Sequence, residues 1–181
     1  RWTGRAGRIL TLAPASPDQP SGTSRVGANL PLRVVSSAVL APAAILVAYL
    51  GGWWFLAFWL AAAVLVAWEW EKMAAGAAAV GSWRAFAPAA GALTGGTLAL
   101  AAGYPLVGLA GILAVAGAMA ALAPAGHRGW TGGGLLYAAA MVLPVMVLRA
   151  DPVYGLSAVL MLFAVVWGTD IAAYFGGRLI G

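Results

Sequence analysis

Three polar residues stand at intervals of four near the end of the sequence. Asp170, Tyr174 and Arg178 lie within the stretch Trp167–Arg178, and on a helix this spacing places them on one face. A carboxylate is the kind of oxygen ligand that Mg²⁺ prefers, and a guanidinium is a planar fork suited to phosphate. The pattern therefore suits a site for a divalent cation and a phosphate. A plain pairing of Asp170 with Arg178 at the end of a helix explains it equally well.

A second acidic position lies in Trp68-Glu69-Trp70-Glu71-Lys72. Tryptophans of this kind are typical of the boundary between lipid and water, and Glu69 can pair with Lys72 one turn later. Glu69 is thus either part of an ordinary interfacial cap or a carboxylate that supports a site facing the cytoplasm. The lone histidine, His127, stands beside Arg128 and is interpreted as a solvated loop residue. With no cysteine and one histidine, thiolate and paired-histidine metal sites are excluded.

The composition indicates which elements hold these residues. Of the 181 residues, 63% are hydrophobic and only 8% are charged, whereas a soluble domain has roughly 25% charged residues. The mean hydropathy is +0.92. So few polar side chains cannot cover the surface of a soluble fold, and the cations fall at segment ends rather than along a stripe that would follow nucleic acid. A membrane protein is therefore expected, and a soluble enzyme, a disordered chain and a nucleic-acid-binding module are disfavoured.

The apolar segments predict an all-α, polytopic transmembrane bundle of about six spans, since about 20 apolar residues cross a bilayer as a helix and no segment alternates as a strand would. Residues 1–30 are basic and rich in Pro and Ser, which predicts a disordered cytoplasmic tail. Residues 31–181 form the predicted membrane domain. The six predicted spans are about Val34–Leu50, Trp53–Trp68, Ala85–Ala102, Pro105–Leu122, Trp130–Leu148, and Val153 to Trp167 and beyond.

The distribution of cations predicts the orientation of these spans. If the N-terminus is cytoplasmic, nine of the ten Lys and Arg residues fall in inner segments and only Arg149 falls outside. Inner segments of membrane proteins carry such an excess of positive charge. We therefore expect Asp170 and its neighbours at the cytoplasmic end of the last helix. Small residues at helical spacing, Gly91 with Gly95 and Ala110, Ala114 and Ala118, predict faces for close helix packing.

The stretch Trp-Gly-Thr-Asp-Ile-Ala-Ala-Tyr-Phe-Gly-Gly-Arg-Leu-Ile-Gly, residues 167–181, resembles the D-x-x-A-Y-x-x-G-R-x-x-G pattern of the bacterial phosphatidate cytidylyltransferase family. Arg33–Val39, Leu50–Trp53 and Trp68–Trp70 are similar to the same family. The resemblance implies transfer of CMP from CTP to phosphatidic acid with release of pyrophosphate, in the bacterial cytoplasmic membrane and with Mg²⁺. It further implies that Asp170, Tyr174 and Arg178 lie at the nucleotide and metal end of the active site. We expect Asp170 and Tyr174 to be catalytic, with Asp170 linked to the metal, and Arg178 and Glu69 to bind substrate.

The sequence departs from the family pattern after Gly181. Members of the family continue with a Ser-Pro-Lys-Lys-Thr-like loop and a later acidic signature, so we expect residues 1–181 alone to be inactive. Two alternatives stay open at this point, namely a polyprenol or other lipid kinase-like phosphotransferase and a small non-enzymatic transporter. A second metal such as K⁺ and a homodimer also stay open.

Overall fold

Six helices follow one another along residues 30–75 and 83–180, which are the residues that the computed structural model describes. The described residues contain no strand, which confirms the all-α fold class. The predicted tail lies outside the described residues except for Leu30, the first residue of α1. The helices are α1 (Leu30–Leu50), α2 (Gly52–Ala75), α3 (Trp83–Ala101), α4 (Pro105–Leu122), α5 (Arg128–Ala150) and α6 (Gly155–Ile180).

Four of these helices contain segments that are long and apolar enough to cross a membrane, and together they confirm that this is a membrane protein. The segments are Gly52–Ala74, Pro105–Leu122, Arg128–Ala150 and Gly155–Leu179. The apolar parts of the other two helices within the described residues are shorter, at Ala38–Leu50 and Phe86–Ala101. The count of six spans and the cytoplasmic N-terminus stay predictions. The chain divides into two units, residues 1–39 and 40–181, and the contacts described below lie within the second unit.

The main core lies between α2, α3, α4 and α5. Its side chains are small or branched, which allows neighbouring helix backbones to come close where lipid supplies no hydrophobic contrast. The buried residues include Ala63, Ala67, Leu93, Ile112, Ala116, Leu135, Ala138 and Val142.

Glycines set the distance between α3 and α4 and between α4 and α5. A Cβ atom added at Gly108 would lie 2.5 Å from the carbonyl oxygen of Gly96, and one added at Gly132 would lie 2.8 Å from that of Ala116. The predicted packing faces are different ones. Gly91 and Gly95 are exposed, and a Cβ at either would meet no atom within 4 Å. The spacing identified small residues on α3 correctly, but the contact uses Gly96, which is rotated about 100° from Gly95.

A second cluster joins α1, α2 and α6. Ala44 and Ala48 from α1 pack with Phe55 from α2 and with Val159 and Phe163 from α6. Aromatic rings extend this contact along α6, because the rings of Phe163 and Trp167 stack with their centres 5.3 Å apart. Beyond Trp167, the side chains of α6 are mostly exposed in the described structure.

Arg149 ties the end of α5 to the turn between α1 and α2. Its Nε donates a hydrogen bond of 2.8 Å to the carbonyl oxygen of Ala48, one of the last carbonyls of α1, where a positive charge also suits the helix dipole. Gly51 follows with φ of 63°, and a Cβ there would lie 2.6 Å from the Arg149 Nη2. The backbone conformation therefore favours glycine at residue 51, and any side chain there would also require the Arg149 guanidinium to shift.

Candidate functional site

The helix α6 carries the predicted polar stripe. It runs without a break to Ile180 and has 26 residues, which corresponds to a length of about 39 Å against a hydrocarbon core of about 30 Å. Its last turns therefore reach the boundary between lipid and water. Asp170, Tyr174 and Arg178 lie at four-residue spacing on this helix, and the Arg178 Nη1 donates a 3.2 Å hydrogen bond to the Tyr174 Oη. The structure thus brings the phenol and the guanidinium together.

Asp170 lies one turn before this pair and is exposed. Among the hydrogen bonds and ion pairs of residues 30–75 and 83–180, none involves its carboxylate. The hydroxyl of the preceding Thr169 is hydrogen-bonded within α6, where it donates to the carbonyl oxygens of Val165 and Val166 at 2.9 and 2.8 Å. The carboxylate of Asp170 is therefore available to an external ligand.

Glu69 is engaged in a surface ion pair at the end of α2. Its Oε1 lies 2.8 Å from the Lys72 Nζ, and the side chains of Lys72 and Glu69 are 51% and 66% exposed. The same ammonium lies 5.0 Å from the centre of the Trp68 ring. No contact between described residues joins Glu69 to the Asp170 stripe. The geometry matches the interfacial cap that the sequence allowed, and exposed pairs of this kind contribute only about 0–1 kcal/mol.

The buried acid of this region is Glu71, which was not among the predicted site residues. Only 7% of Glu71 is exposed, and its carboxylate has no hydrogen bond or ion pair within the described residues. Ala63, Ala67 and Glu71 are each four residues apart, and both alanines belong to the main core. This spacing was visible in the sequence and is the signal that could have identified Glu71 as the inward-facing acid.

A group of aromatic side chains joins the last turns of α2, which carry Glu69 and Glu71, to the first turns of α5. The Trp70 ring stacks on Tyr137 with centres 5.3 Å apart and lies 5.7 Å from the Trp130 ring. The Trp70 Nε1 donates a 2.8 Å hydrogen bond to the carbonyl oxygen of Trp130. Gly134 makes room for this packing, because a Cβ there would clash with the Trp70 indole.

A cavity of about 390 Å³ opens next to the aromatic group. His127, the residue interpreted as a solvated loop residue, is exposed at the start of α5 and is one of the residues that line this cavity. The lining residues are Trp70, Met73, Ala74, Gly126, His127 and Trp130.

The family resemblance implies Mg²⁺, and the described residues can be compared with the ligands that this ion needs. No group of three or more His, Asp or Glu side chains in the described part of the chain could hold a metal ion by itself. Mg²⁺ is nevertheless commonly held by one or two carboxylates, with substrate phosphates and water completing its coordination. The free and exposed carboxylate of Asp170 fits the role of one such ligand.

Comparisons with known proteins point to one family. The sequence model of the Cytidylyltransferase family matches residues 31–181. The chain is 37% identical over 155 residues to a phosphatidate cytidylyltransferase of Brucella suis biovar 1 and equally similar to one of Brucella melitensis biotype 1. It is 36% identical to one of Brucella abortus biovar 1.

Each of these alignments covers 84% of this chain and 56% of the relative. The chain therefore spans about half the length of the curated relatives it matches. No solved structure matches it. The comparisons do not favour the kinase-like and transporter alternatives.

Proposed function

The chain belongs to the Cytidylyltransferase family, and on this premise we propose that the whole protein is a phosphatidate cytidylyltransferase of the bacterial cytoplasmic membrane. The family match confirms the resemblance drawn from residues 167–181, and the named relatives supply the substrate class. The reaction would transfer CMP from CTP to phosphatidic acid, giving CDP-diacylglycerol and pyrophosphate.

In the proposed reaction, a phosphate oxygen of the lipid attacks the α-phosphorus of CTP. A new P–O bond forms as the bond to the β-phosphate bridging oxygen breaks, and pyrophosphate leaves with that electron pair. Such transfers are catalysed mainly by positioning the reactants and by neutralising charge. A bound Mg²⁺ would supply part of that neutralisation.

The observation that carries the proposal is the arrangement on α6. Arg178 is an exposed cation for a phosphate group, and its hydrogen bond with Tyr174 restrains both side chains. Tyr174 would orient the guanidinium or a substrate oxygen. Asp170, one turn earlier and without a partner in the described structure, would hold Mg²⁺ through a carboxylate oxygen. A role for Glu69 in substrate binding would require its ion pair with Lys72 to open.

Asp170→Asn tests the proposal in the protein expressed from its complete reading frame. We expect turnover of CTP with phosphatidic acid to fall by about a hundredfold or more, because the amide is a poor Mg²⁺ ligand and the lost charge neutralisation is of that order. Incorporation of labelled CTP into lipid measures it. Asp151→Asn is the matched control, since Asp151 lies at the other end of α6 outside the proposed site. Equal turnover in wild type and Asp170→Asn would refute the assignment.

A further inference from the structure

Arg149 carries a positive charge that has no counter-charge among the described residues. Its side chain is half-buried, and its Nε is used in the hydrogen bond to the carbonyl oxygen of Ala48. The two Nη atoms, which carry the remaining N–H donors of the guanidinium, make no hydrogen bond or ion pair with a described residue. A guanidinium that has lost part of its water is stabilised when an anion completes its hydrogen bonds.

Asp151, two residues later, does not supply this anion. Its Oδ1 accepts hydrogen bonds from the backbone N–H groups of Val153 and Tyr154, and in the described structure no ion pair joins its carboxylate to Arg149. The other described acids lie on later turns of α2 and α6, whereas it is the first turns of these helices that lie near Arg149. The anion must therefore come from outside the described residues.

Arg149 is one of the residues that line a cavity of about 300 Å³. Its guanidinium lies against Gly51, where an added Cβ would be 2.6 Å from Nη2, and the next residue, Gly52, lines the same cavity. The other walls are largely apolar and include Trp53, Phe55, Leu56, Ala101 and Met146. One cation in an apolar lining suits a ligand that combines an anionic group with an apolar body.

Tryptophan and tyrosine side chains are exposed around this end of the bundle. They are Tyr49, Trp53, Trp54, Tyr104 and Tyr154. They lie at the end of α1, at the start of α2, and in the turns before α4 and α6. Such residues concentrate where lipid meets water, at the level of the lipid head groups. The anion that is most abundant at this level is the phosphate of a phospholipid, whose acyl chains also match the apolar walls.

We propose that Arg149 and this cavity form a binding site for an anionic phospholipid. The lipid phosphate accepts hydrogen bonds from the Nη groups of Arg149, and the glycerol and first acyl carbons lie against Trp53, Leu56 and Met146. Arg149 then holds the Ala48 carbonyl and the lipid phosphate together, so that the lipid becomes part of the contact between α1, α2 and α5. The site is near the start of α6, whereas Asp170 is on its later turns, and the proposal does not depend on the proposed function.

Binding of dioleoylphosphatidylglycerol tests the proposal in the protein expressed from its complete reading frame, purified in detergent and freed of its own lipid. Dioleoylphosphatidylcholine has the same phosphate and chains but no net charge, and glycerol 3-phosphate has an anionic phosphate without chains. Native mass spectrometry measures how much of each is retained. We expect the phosphatidylglycerol to bind more tightly than either of the other two.

Arg149→Gln removes the charge and the Nη groups. The amide nitrogen of glutamine is attached at the same position as Nε, so the variant can still donate to the Ala48 carbonyl. We expect its affinity for phosphatidylglycerol to fall about tenfold or more, as for a lost hydrogen bond to a charged group. Arg128→Gln is the matched control, because the Nε of Arg128 also donates to a helix-end carbonyl, that of Ala123, and Arg128 does not line this cavity. Its affinity should equal that of wild type.

A second pair of variants leaves Arg149 unchanged. Ala101→Phe places a large side chain in the wall of the cavity, and Ala102→Phe makes the same change at the next residue, which is exposed and does not line the cavity. We expect Ala101→Phe to lower the affinity for phosphatidylglycerol and Ala102→Phe to keep it. This pair decides the question if Arg149→Gln does not fold.

Four results would overturn the lipid site. The first is equal binding of phosphatidylglycerol and phosphatidylcholine, which would exclude recognition of charge. The second is full competition by glycerol 3-phosphate, which would assign the site to a soluble phosphate. The third is an unchanged affinity in Arg149→Gln with a lower Tm in lipid-free detergent, which would make Arg149 purely structural. The fourth is equal affinity in Ala101→Phe and Ala102→Phe, which would place the lipid elsewhere.

Discussion

The Asp151 carboxylate fixes the turn between α5 and α6 by accepting two backbone hydrogen bonds. Its Oδ1 accepts from the Tyr154 N–H at 2.6 Å and from the Val153 N–H at 2.9 Å. Both bonds lower the pKa of Asp151 below its ordinary value, the bond from Tyr154 more than that from Val153, because they favour the charged form. The carboxylate therefore supports the turn that leads into the helix of the proposed site.

Asp151→Ala should lower the Tm of the detergent-solubilised protein by a few degrees at pH 7. A carboxyl group whose pKa is lower in the folded state than in the unfolded state stabilises the fold fully at pH values above the unfolded-state pKa, which is about 3.9 for Asp. This contribution is lost as the pH falls through the folded-state pKa. The difference in Tm from wild type should therefore persist down to about pH 5 and shrink below about pH 4. Thermal unfolding of both proteins across this range measures it. A difference that grows towards low pH would contradict the assignment.

The two glutamates of α2 show how far single residues can be assigned from sequence. Glu69 was predicted either to form an interfacial cap or to support a site facing the cytoplasm, and it lies in an exposed pair with Lys72. Glu71 has the helical spacing of Ala63 and Ala67 and is buried with them. The spacing was readable, but the burial at the end of α2 depends on where α3 and α5 pack. That packing depends on Phe86, which contacts Trp68, and on Gly134, which leaves room for the Trp70 ring; both residues lie far from Glu71 in the sequence.

At the level of elements, the contact of α3 with α4 depends on a pair of glycines. Gly108→Ala should lower the free energy of unfolding by about 1–3 kcal/mol, the usual cost of overpacking, because its Cβ would lie 2.5 Å from the Gly96 carbonyl oxygen. Gly111→Ala, three residues later on the same helix, meets no atom within 4 Å and serves as the matched control. Thermal or denaturant unfolding in detergent compares them. Equal stability of the two variants would show that the helices do not pack in this way.

The helices themselves were predictable, and their ends less so. Segments such as Pro105–Leu122 were predicted to the residue, because apolar composition and the Pro at its start define both limits. The second segment was expected to end at Trp68, whereas α2 continues to Ala75. Hydropathy marks where an apolar segment ends, but Glu69–Lys72 continue the helix beyond that point. Asp170, Tyr174 and Arg178 likewise lie on the last turns of α6. Their spacing along the helix could be predicted from the sequence, whereas the side chains that they contact could not.

At the scale of the whole molecule, contacts between helices show which helix ends lie close together. The Arg149 hydrogen bond to Ala48 brings the end of α5 to the end of α1, and a cavity of about 300 Å³ there also has Gly52 and Ala101 in its wall. At the opposite end, Trp70 meets Trp130. The helices therefore alternate in direction, and Asp170 and Arg178 lie on the part of α6 that points away from Arg149.

This arrangement predicts which turns face each side of the membrane. The sequence contains no cysteine, so single cysteines introduced at chosen positions can test the prediction. Ala125→Cys, in the turn between α4 and α5, and Val153→Cys, in the turn between α5 and α6, introduce single thiols at exposed positions. With Lys72, Arg128 and Arg178 inside, a membrane-impermeant maleimide applied to intact spheroplasts should label residue 153 only. Residue 125 should react after the membrane is opened. The reverse pattern would place Asp170 on the outer side, where CTP is absent, and both the topology and the proposed function would then be wrong.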